Sequence, residues 1–547
     1  MGGIARTGAG LNSAQTLILT EPHQNAAGLV ETLRRSSHRR LHGRAPLRVI
    51  LVHGGEGPPR LPDLPDDAPL TIENFDFEAQ AARALLARWP LHAGMDPPFG
   101  QTVHVLVAGD APPAGALIVQ AMRMVHYGDQ QPAFTFASRE PDAQRDALLA
   151  AYPQAEQFCR LRFKDIEDPE LSKETPITGV YVCMDPPELG LETARRLAQL
   201  IADQQRASPL IHLEIGDAKP TSDIKDWDGQ VLPSSYVREA FQPEVLLDGR
   251  GDELARVIHE HYRDSIGAQG RDPDAEPAGQ PWQTLEASYR DASRQQADHL
   301  WAKLATVDCR AVPEELVESF AFAPLEVERL AIIEHKRWAA DRYLDGWTYA
   351  PIRDNARKHH PQLIAYDSLS ESMKDLDRFA VRLTPTLLAR SGRGLVRMLL
   401  VGVPEATVTC SADNRLRRLT DRVMERLISR YPDRSLVLAS TLGDAASRLV
   451  AQRAVERFEA GLFLLCPRPL SETLAIQRDE RSRRDLLALI ARAERRVTLV
   501  GTDELDRWFT QRAEIMMFLG NLSGDTRTGK RVEIDPSGGK LEWSFEY

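Results

Sequence analysis

Aromatic, basic and acidic side chains are interleaved between residues 334 and 360, and this mixture is suited to holding a nucleotide. Tryptophan and tyrosine rings can stack on a base, arginine can meet a phosphate with two parallel N–H donors, and carboxylates can accept from ribose hydroxyls. The candidate ligand-binding residues are Glu334, His335, Arg337, Trp338, Trp347, Tyr349, Arg353, Asp354, Lys358 and His360. The same residue types also build cores, and Glu334 and Arg337 have the spacing of an ion pair on a helix surface. Residue types alone leave both uses open.

The histidines and cysteines do not indicate catalytic or metal chemistry. His335 could act as a general base, but no serine, cysteine or carboxylate stands at a spacing that suggests a partner. His259, His261, His359 and His360 lack the spacing of a zinc site. The five cysteines are far apart and form no CxxC pair, as expected in a reducing cytoplasm. We therefore predict no catalytic residue, no metal and a cytoplasmic location.

Short, continuous apolar runs that end in glycine or proline turns must position these side chains. The runs lie at residues 47–52, 103–108, 134–136, 177–183, 396–403, 436–438, 462–465 and 497–500. Such runs, each followed by a helical pattern, are typical of buried parallel strands in α/β layers. Two sets of them bracket a helix-rich middle. The stretch 267–281, rich in proline, glycine and aspartate, indicates a linker, and a second break falls near 391–394.

The turn at residues 109–115 follows the second apolar run, where a dinucleotide pyrophosphate would bind at a helix start. Its G-x-G-x-x-G pattern is incomplete, since Ala111 and Ala114 replace two glycines and two prolines remove N–H donors. At the end of the next strand, a serine and an arginine stand where an acidic residue would bind ribose. The sequence therefore leaves open an ordinary structural turn or a cofactor site. The candidate cofactor-binding residues here are Gly109, Gly115, Ser138 and Arg139.

A second small-residue turn precedes a helix in the C-terminal part of the chain. Gly443 and Ser447 can cradle a phosphate at the helix start, with Arg448 assisting. Asp444 beside them is the one nearby acid for a nucleotide-processing enzyme, although its position also suits a helix cap. Ligand binding and a degenerate scaffold both remain open for this turn. Near the C-terminus, alternating apolar positions in residues 531–545 predict a hairpin that protects a sheet edge or pairs with another subunit.

The central segment resembles the ryanodine-receptor repeat, or RyR domain, which also occurs in soluble bacterial proteins. The motifs that carry this resemblance are EHKRW at 334–338, DGWTY at 345–349, RD at 353–354 and KHHPQLI at 358–364. The resemblance implies a small helical module with an irregular connecting loop.

The sequences on either side of this segment resemble two families of Rossmann-like domains. The turn at 103–115, the strand at 134–139 and the strand and helix at 180–200 follow the order of TrkA-N nucleotide-binding domains. Residues 399–404, 436–451 and 464–469 resemble the SLOG family, many members of which bind or process nucleotides.

Together these resemblances imply an α/β multidomain protein with two Rossmann-like parallel-sheet domains flanking a small helical RyR module. The expected domains are a TrkA-N-like unit with the N-terminal strand region at 1–250, a helical connector at 251–323, the RyR domain at 324–390 and a SLOG-like unit with the C-terminal hairpin at 394–547.

The implied function is that of a sensor or effector of a nucleotide-derived small molecule, in bacterial antiviral defence or stress signalling. The ligand would be ADP-ribose-like or a cyclic nucleotide, held by the RyR domain, the Rossmann-like domains or both. The cofactor is left open, and a nucleotide or dinucleotide is one option. Two alternatives stay open: a nucleotide-processing enzyme that uses the SLOG-like domain, and a scaffold with vestigial nucleotide pockets. Homo-oligomerisation is also left open.

The amino-acid composition argues against two classes of partner, nucleic acids and membranes. The 547 residues include 79 acidic and 68 basic side chains, for a formal charge of -11, which argues against broad nucleic-acid binding. Mean hydropathy is -0.35, and no run approaches the roughly 18–20 apolar residues of a membrane helix. We therefore expect a soluble protein with no membrane insertion, and any anionic ligand must find a local basic pocket.

Overall fold

The computed structural model describes most of the chain. The described residues are 14–20, 23–37, 46–54, 61, 64, 68–171, 175–205, 209–217, 231–317, 319–406, 414–477, 479–499, 501–520, 530–535 and 540–544. Cys410 lies outside them. Within these ranges, no helix combines the length and the apolar character needed to cross a membrane.

The N-terminal strands form a small parallel sheet of their own. Its elements are β1 (Thr16–Leu19), α1 (His23–Ser37), β2 (Leu47–His53) and β3 (Leu70–Asp76), with strand order β1-β2-β3. Helix α2 (Phe77–Arg88) follows β3 directly, because the Asp76 carboxylate caps it by accepting from Ala79 N at 3.0 Å. The N-terminal strand region is therefore hydrogen-bonded separately from the larger sheet that comes next.

Six parallel strands form the first large sheet. The elements are β4 (His104–Ala108), α3 (Ala114–Met124), β5 (Ala133–Ser138), α4 (Pro141–Ala151), β6 (Arg160–Asp165), β7 (Gly179–Val182), α5 (Pro187–Gln205), β8 (Leu210–Glu214), β9 (Val231–Ser234), α6 (Tyr236–Ala240) and α7 (Pro243–Leu246). The strand order β6-β5-β4-β7-β8-β9 is the Rossmann order: β5 and β6 extend the sheet on one side of β4, and β7, β8 and β9 extend it on the other. Every residue of β4 and β5 is buried, as expected for a sheet covered on both faces.

Helices dominate the middle of the chain. They are α8 (Glu253–Ala268), α9 (Ala287–Thr306), α10 (Pro324–Leu344), α11 (Glu371–Arg382) and α12 (Thr384–Arg390), joined by the short strands β10 (Cys309–Pro313), β11 (Thr348–Tyr349) and β12 (His359–His360). Helix α10 packs into the first unit, because Leu344 lies in one apolar cluster with Leu117 of α3 and Val105 of β4. The helical module therefore shares a core with the first sheet.

The C-terminal unit is built on a second parallel sheet. Its elements are β13 (Arg393–Val403), α13 (Asn414–Arg430), β14 (Arg434–Ser440), α14 (Ala445–Phe458), β15 (Gly461–Cys466), α15 (Leu470–Ala475), α16 (Glu480–Ile490), β16 (Arg495–Thr498), α17 (Gly501–Arg512), β17 (Ile515–Leu519), β18 (Arg531–Asp535) and β19 (Lys540–Ser544). The order is β16-β15-β14-β13-β17-β18-β19, with β19 antiparallel to β18. Both faces carry apolar clusters, one under α13, α14 and α16 and one under α17. The predicted fold class, two Rossmann-like parallel-sheet units flanking a helical module, is confirmed.

Strand β10 ties the middle of the chain to the C-terminal sheet. It pairs antiparallel with the first half of β13, from Cys309 opposite Arg397 to Pro313 opposite Arg393, while β17 pairs with the second half. Residues 314–392 are therefore inserted between two neighbouring strands, and their ends meet where Glu314 N donates to Gly392 O at 3.1 Å.

A buried carboxylate joins the first and last units. The Asp96 side chain is fully buried and pairs with Arg495, which is only 2% exposed. Asp96 Oδ2 also accepts from Trp508 Nε1 at 3.1 Å and from Arg512 Nε at 3.0 Å, and Arg512 continues to Asp308. One charge of the first unit thus holds three side chains of the C-terminal unit.

Candidate functional site

Glu334 and Arg337 of the predicted ligand-binding set lie inside the protein. Helix α10 carries both on its buried face, and Glu334 Oε1 accepts from Arg337 Nη2 at 2.7 Å. Lys303, which reaches in from α9, donates to Glu334 Oε2 at 2.6 Å. Burial alone would raise the pKa of Glu334, but the charges of Arg337 and Lys303 outweigh burial and hold that pKa well below its usual range. The three side chains form a closed ion cluster that ties α10 to α9.

His335 is held from both sides of its ring. Nε2 lies 2.9 Å from Ile364 O and therefore donates, while Nδ1 lies 3.3 Å from Asp377 Oδ2 on α11. Burial raises the pKa of Asp377, although the hydrogen bond and charge of His335 oppose this rise. Both ring nitrogens of His335 have partners and its side chain is 4% exposed, so His335 links α10 to α11 and to the connecting loop.

The tryptophans of the set surround a histidine. The His360 ring lies 4.8 Å from the Trp338 ring and 6.0 Å from the Trp347 ring, both in edge-on geometry. Its Nδ1 accepts from Gln362 N at 3.2 Å, and burial, helped by the charge of Arg353, lowers its pKa. Trp347 is buried and donates Nε1 to Asp345 Oδ2 at 2.9 Å. This cluster fastens the loop to α10, which is the core role that the sequence had left open.

The remaining members of the set lie on the surface of the loop. Tyr349 is 55% exposed, and Arg353 is exposed, with its Nε donating only to Asn355 within the same loop. Lys358 Nζ lies 2.7 Å from Asp345 O. Asp354 accepts from Arg357 N at 3.1 Å and so closes a turn. Of the ten predicted residues, Tyr349, Arg353 and Lys358 are the ones exposed to a ligand arriving from solvent.

The first-sheet turn places its predicted residues at the carboxyl edge of the strands. Gly109 has φ of +90°, and a Cβ there would lie 2.1 Å from Cys183 O, so glycine is required by the close approach of β7. A Cβ on Gly115 would meet no atom within 4 Å, which leaves open space beside the first turn of α3. Ser138 at the end of β5 is 3% exposed, and its hydroxyl has no hydrogen-bond partner in the described part of the chain. Arg139 follows it and is exposed.

The C-terminal turn is filled by the protein's own carboxylates. Asp444 Oδ1 caps α14 by accepting from Ala446 N at 2.8 Å and Ser447 N at 2.9 Å. A Cβ on Gly443 would lie 2.1 Å from Glu405 Oε1, so the Glu405 side chain occupies the space beside the turn. The donors that would cradle a phosphate are therefore already used by Asp444.

The other two groups of this turn serve the backbone. Ser447 Oγ donates to Asp444 O at 3.0 Å. Arg448 is 7% exposed and donates Nη1 to Leu442 O at 3.0 Å and to Gly443 O at 3.2 Å. Burial lowers the pKa of Arg448. Both side chains fix the turn in place.

Sequence reasoning missed Lys303, Asp377 and Glu405, each of which contacts a predicted residue. They lie 31, 42 and 38 positions from Glu334, His335 and Gly443, so no local spacing points to them. Lys303 leaves one signal, because it interrupts the apolar run LWAKLA at 300–305 and so marks a charge on a buried helix face.

Within the described ranges, no group of three or more histidine, cysteine or carboxylate side chains could hold a metal ion. In the comparison with protein families, residues 324–395 match the RyR domain. The matched segment runs from the start of α10 through α12 into β13 and includes all ten residues of the aromatic and basic set. Residues 324–395 of this chain are therefore similar in sequence to the RyR domain family.

Proposed function

We propose that this protein is a sensor of a nucleotide-derived ligand, which binds at the carboxyl edge of the six-stranded sheet and is read out through the RyR domain. The observation that carries the proposal is the strand order, since dinucleotides bind at the switch point of such sheets, between β4 and β7 here. The first unit would be TrkA-N-like and the C-terminal unit SLOG-like, and the setting would be bacterial antiviral or stress signalling.

The groups at this edge suit a ribose and a phosphate. The open space at Gly115 lies at the start of α3, where the helix dipole favours an anion. The unpartnered hydroxyl of Ser138 lies at the end of the neighbouring strand, where a ribose hydroxyl would be bound. The exposed Arg139 suits an additional phosphate.

Helix α3 provides a physical route from this edge to the RyR domain. Leu117 of α3 and Leu344 of α10 lie in the same apolar cluster. Gln120 of α3 donates to Asp298 of α9 at 3.0 Å, and the Phe158 and Tyr343 rings stack at 6.1 Å. A ligand that moves the start of α3 would therefore move a helix packed on α10. Signalling requires that the ligand bind the two arrangements with different affinity.

A steric block tests the ligand position. Gly115→Leu fills the space beside α3, and the matched control is Gly267→Leu, whose Cβ on α8 also meets no atom within 4 Å. Both changes favour the helix by up to about 1 kcal/mol, so both proteins should fold. Thermal unfolding and product formation are recorded with NAD, NADP, ADP-ribose, cyclic ADP-ribose, ATP and cyclic oligonucleotides. A ligand at about 100 times its Kd stabilises by about 2.7 kcal/mol.

We expect one ligand class to stabilise the wild type and the Gly267→Leu control without turnover, and Gly115→Leu to lose this response. An undiminished response in Gly115→Leu would exclude the sheet edge. Arg353→Gln tests binding at the exposed RyR loop instead, with Arg357→Gln, 77% exposed in the same loop, as its control. A response lost only in Arg353→Gln would move the ligand to that loop.

The alternatives predict different outcomes. For an enzyme that uses the C-terminal unit, product should form and should disappear in Asp444→Asn, although both carboxylate oxygens of Asp444 already accept backbone N–H groups. For a scaffold with vestigial pockets, no ligand should change the unfolding temperature. The filled turn at Gly443 favours the scaffold role for the C-terminal unit alone.

A further inference from the structure

A basic cleft lies between the small N-terminal sheet and the connector helices, away from both strand-end turns and the RyR loop. Strands β2 and β3 form one wall and helices α8 and α9 the other, and the cavity measures about 280 Å³. This is near the lower end of the range for small-molecule sites, about 300 Å³. Its charged lining residues are Arg48, Arg250, Arg256, Arg290, Arg294, Glu73, Asp248 and Asp252. Five arginines against three carboxylates make the cleft positive in a protein whose formal charge is -11.

Two of these arginines are neutralised by carboxylates. Arg48 pairs with Glu73 at 2.7 Å across β2 and β3. Arg294 pairs with Asp252 at 2.6 Å, and Asp252 is shared with Arg83 behind the cleft at 2.9 Å. The carboxylates of these pairs are therefore used within the wall and do not cancel the remaining arginines.

Arg250, Arg256 and Arg290 form no ion pair with a carboxylate in the described part of the chain. Arg256 donates Nη2 to Asp248 O, a carbonyl, at 3.4 Å. Arg290 Nε is buried without a hydrogen-bond partner among the described residues. Arg290 also stands four positions before Arg294 on α9, a spacing at which like charges repel. Burial and the charge of Arg294 lower the pKa of Arg290.

Such a cluster costs stability unless an anion completes it. The buried Nε of Arg290 loses hydration that no acceptor among the described residues replaces, and two like charges on one helix face add repulsion. Phosphate oxygens satisfy both deficits, because arginine donates two parallel N–H groups to them. The Trp282 ring at the cleft is already covered by Arg256 and Arg294, with guanidinium carbons 6.0 and 5.7 Å from its centroid. Recognition here therefore relies on phosphates and not on stacking of a base.

We propose that this cleft binds a phosphate-bearing anion, with Arg250, Arg256 and Arg290 as its principal contacts. The site is independent of the sheet edge, since none of its lining residues belongs to β4, β7 or the turns that follow them. A polyphosphate, either free or as part of a nucleotide, has the chemistry that the three unpaired guanidinium groups require.

Calorimetric titration of the full chain with inorganic pyrophosphate and with ATP tests the proposal. Arg290→Gln and Arg256→Gln should each weaken binding about tenfold or more, equivalent to about 1.4 kcal/mol. Arg290→Lys keeps the positive charge but loses the two parallel N–H donors of the guanidinium, so its affinity should lie between those of the wild type and Arg290→Gln. The control is Arg263→Gln, which removes an arginine from α8 outside the cleft and should leave the affinity unchanged. Equal affinity for the two probes indicates recognition of phosphates alone, whereas tighter ATP binding indicates a nucleotide.

Thermal unfolding without ligand shows whether each variant is folded before a loss of binding is interpreted. Arg290→Gln should unfold at or above the wild-type temperature, because it removes a repelled and unsatisfied cation, while losing the anion-induced rise. Absence of binding of either probe to the wild type at millimolar concentration overturns the proposal. So does unchanged affinity in folded Arg290→Gln and Arg256→Gln. Gly115→Leu should leave this binding intact, so failure here is distinguishable from failure of the sheet-edge site.

Discussion

Replacing Asp96 by alanine is expected to weaken the junction between the first and the C-terminal units. The Asp96 side chain is fully buried, and it accepts hydrogen bonds from Arg495, Trp508 and Arg512. After the substitution Arg512 keeps Asp308 as a partner, but among the described residues Arg495 keeps only Ala305 O at 3.0 Å and the face of the Phe463 ring. A buried charge then lacks its counter-ion, which is the costly half of breaking a salt bridge.

The size of the effect follows from this geometry. Removing one partner of a buried pair costs about 3–5 kcal/mol, a large part of the 5–15 kcal/mol that stabilises a typical protein. At the other end of the network, Asp308 is 30% exposed on its side chain, so Asp308→Asn should cost about 1 kcal/mol or less. The two substitutions remove one carboxylate charge each from the same network, and they differ in burial.

Urea denaturation of the wild type and both variants measures these free energies of unfolding, with limited proteolysis reporting separation of the units. We expect Asp96→Ala to lose about 3–5 kcal/mol and to unfold in two steps. Asp96→Leu combined with Arg495→Leu removes both buried charges and should recover much of the loss. If Asp96→Ala loses no more than Asp308→Asn, the junction does not depend on the buried charge and the reasoning is refuted.

Three further outcomes are expected. Glu334→Gln should destabilise the protein by about 3 kcal/mol at pH 7. Because the pKa of Glu334 is held low in the folded state, its contribution is present above the unfolded pKa near 4.5 and is lost as pH falls below it, so urea melts should converge with wild type in acid. Burial, with a smaller effect of nearby Lys336, lowers the pKa of His126 to about 3. The neutral form of His126 therefore favours folding above pH 6.5, and the free energy of unfolding falls from there towards pH 4. His126→Leu should flatten this pH dependence, and an unchanged slope would contradict the assignment. Arg448→Met removes donors to two carbonyls and should cost about 1–3 kcal/mol in thermal unfolding while leaving any ligand response intact, whereas loss of that response would assign Arg448 to binding.

The sheets were predictable because their signal is local. The continuous apolar run before Gly109 is what a strand buried on both faces requires, and it became β4 at the centre of the first sheet. Pairings between distant segments were not predictable in the same way. The pairing of β10 with β13 joins positions 80 or more residues apart, and Glu405 reaches Gly443 across 38. No periodicity within a short window encodes such contacts.

The aromatic and basic set of residues 334–360 shows a second limit of prediction from sequence. Trp347 and Tyr349 are aromatic residues two positions apart, yet Trp347 is 8% exposed and Tyr349 is 55% exposed. Residue type indicates stacking capacity for both, and only the packing of the loop against α10 separates a core anchor from a surface ring. Asp444 likewise had the spacing of both a cap and an acid, and its hydrogen bonds to Ala446 N and Ser447 N show that it caps α14.

The insertion of residues 314–392 between β10 and β13 has a consequence for cleavage of the chain. A single cut in the exposed turn at 351–358 would give two fragments, with β10 on one and β13 on the other. The fragments would remain bound through that antiparallel ladder and through the packing of α11 on α10, where Arg378 pairs with Glu328 at 2.7 Å. Each half lacks a partner strand that only the other half supplies. The chain is therefore suited to reconstitution from two separately expressed pieces, in which recovery of the fold reports that the pieces have met.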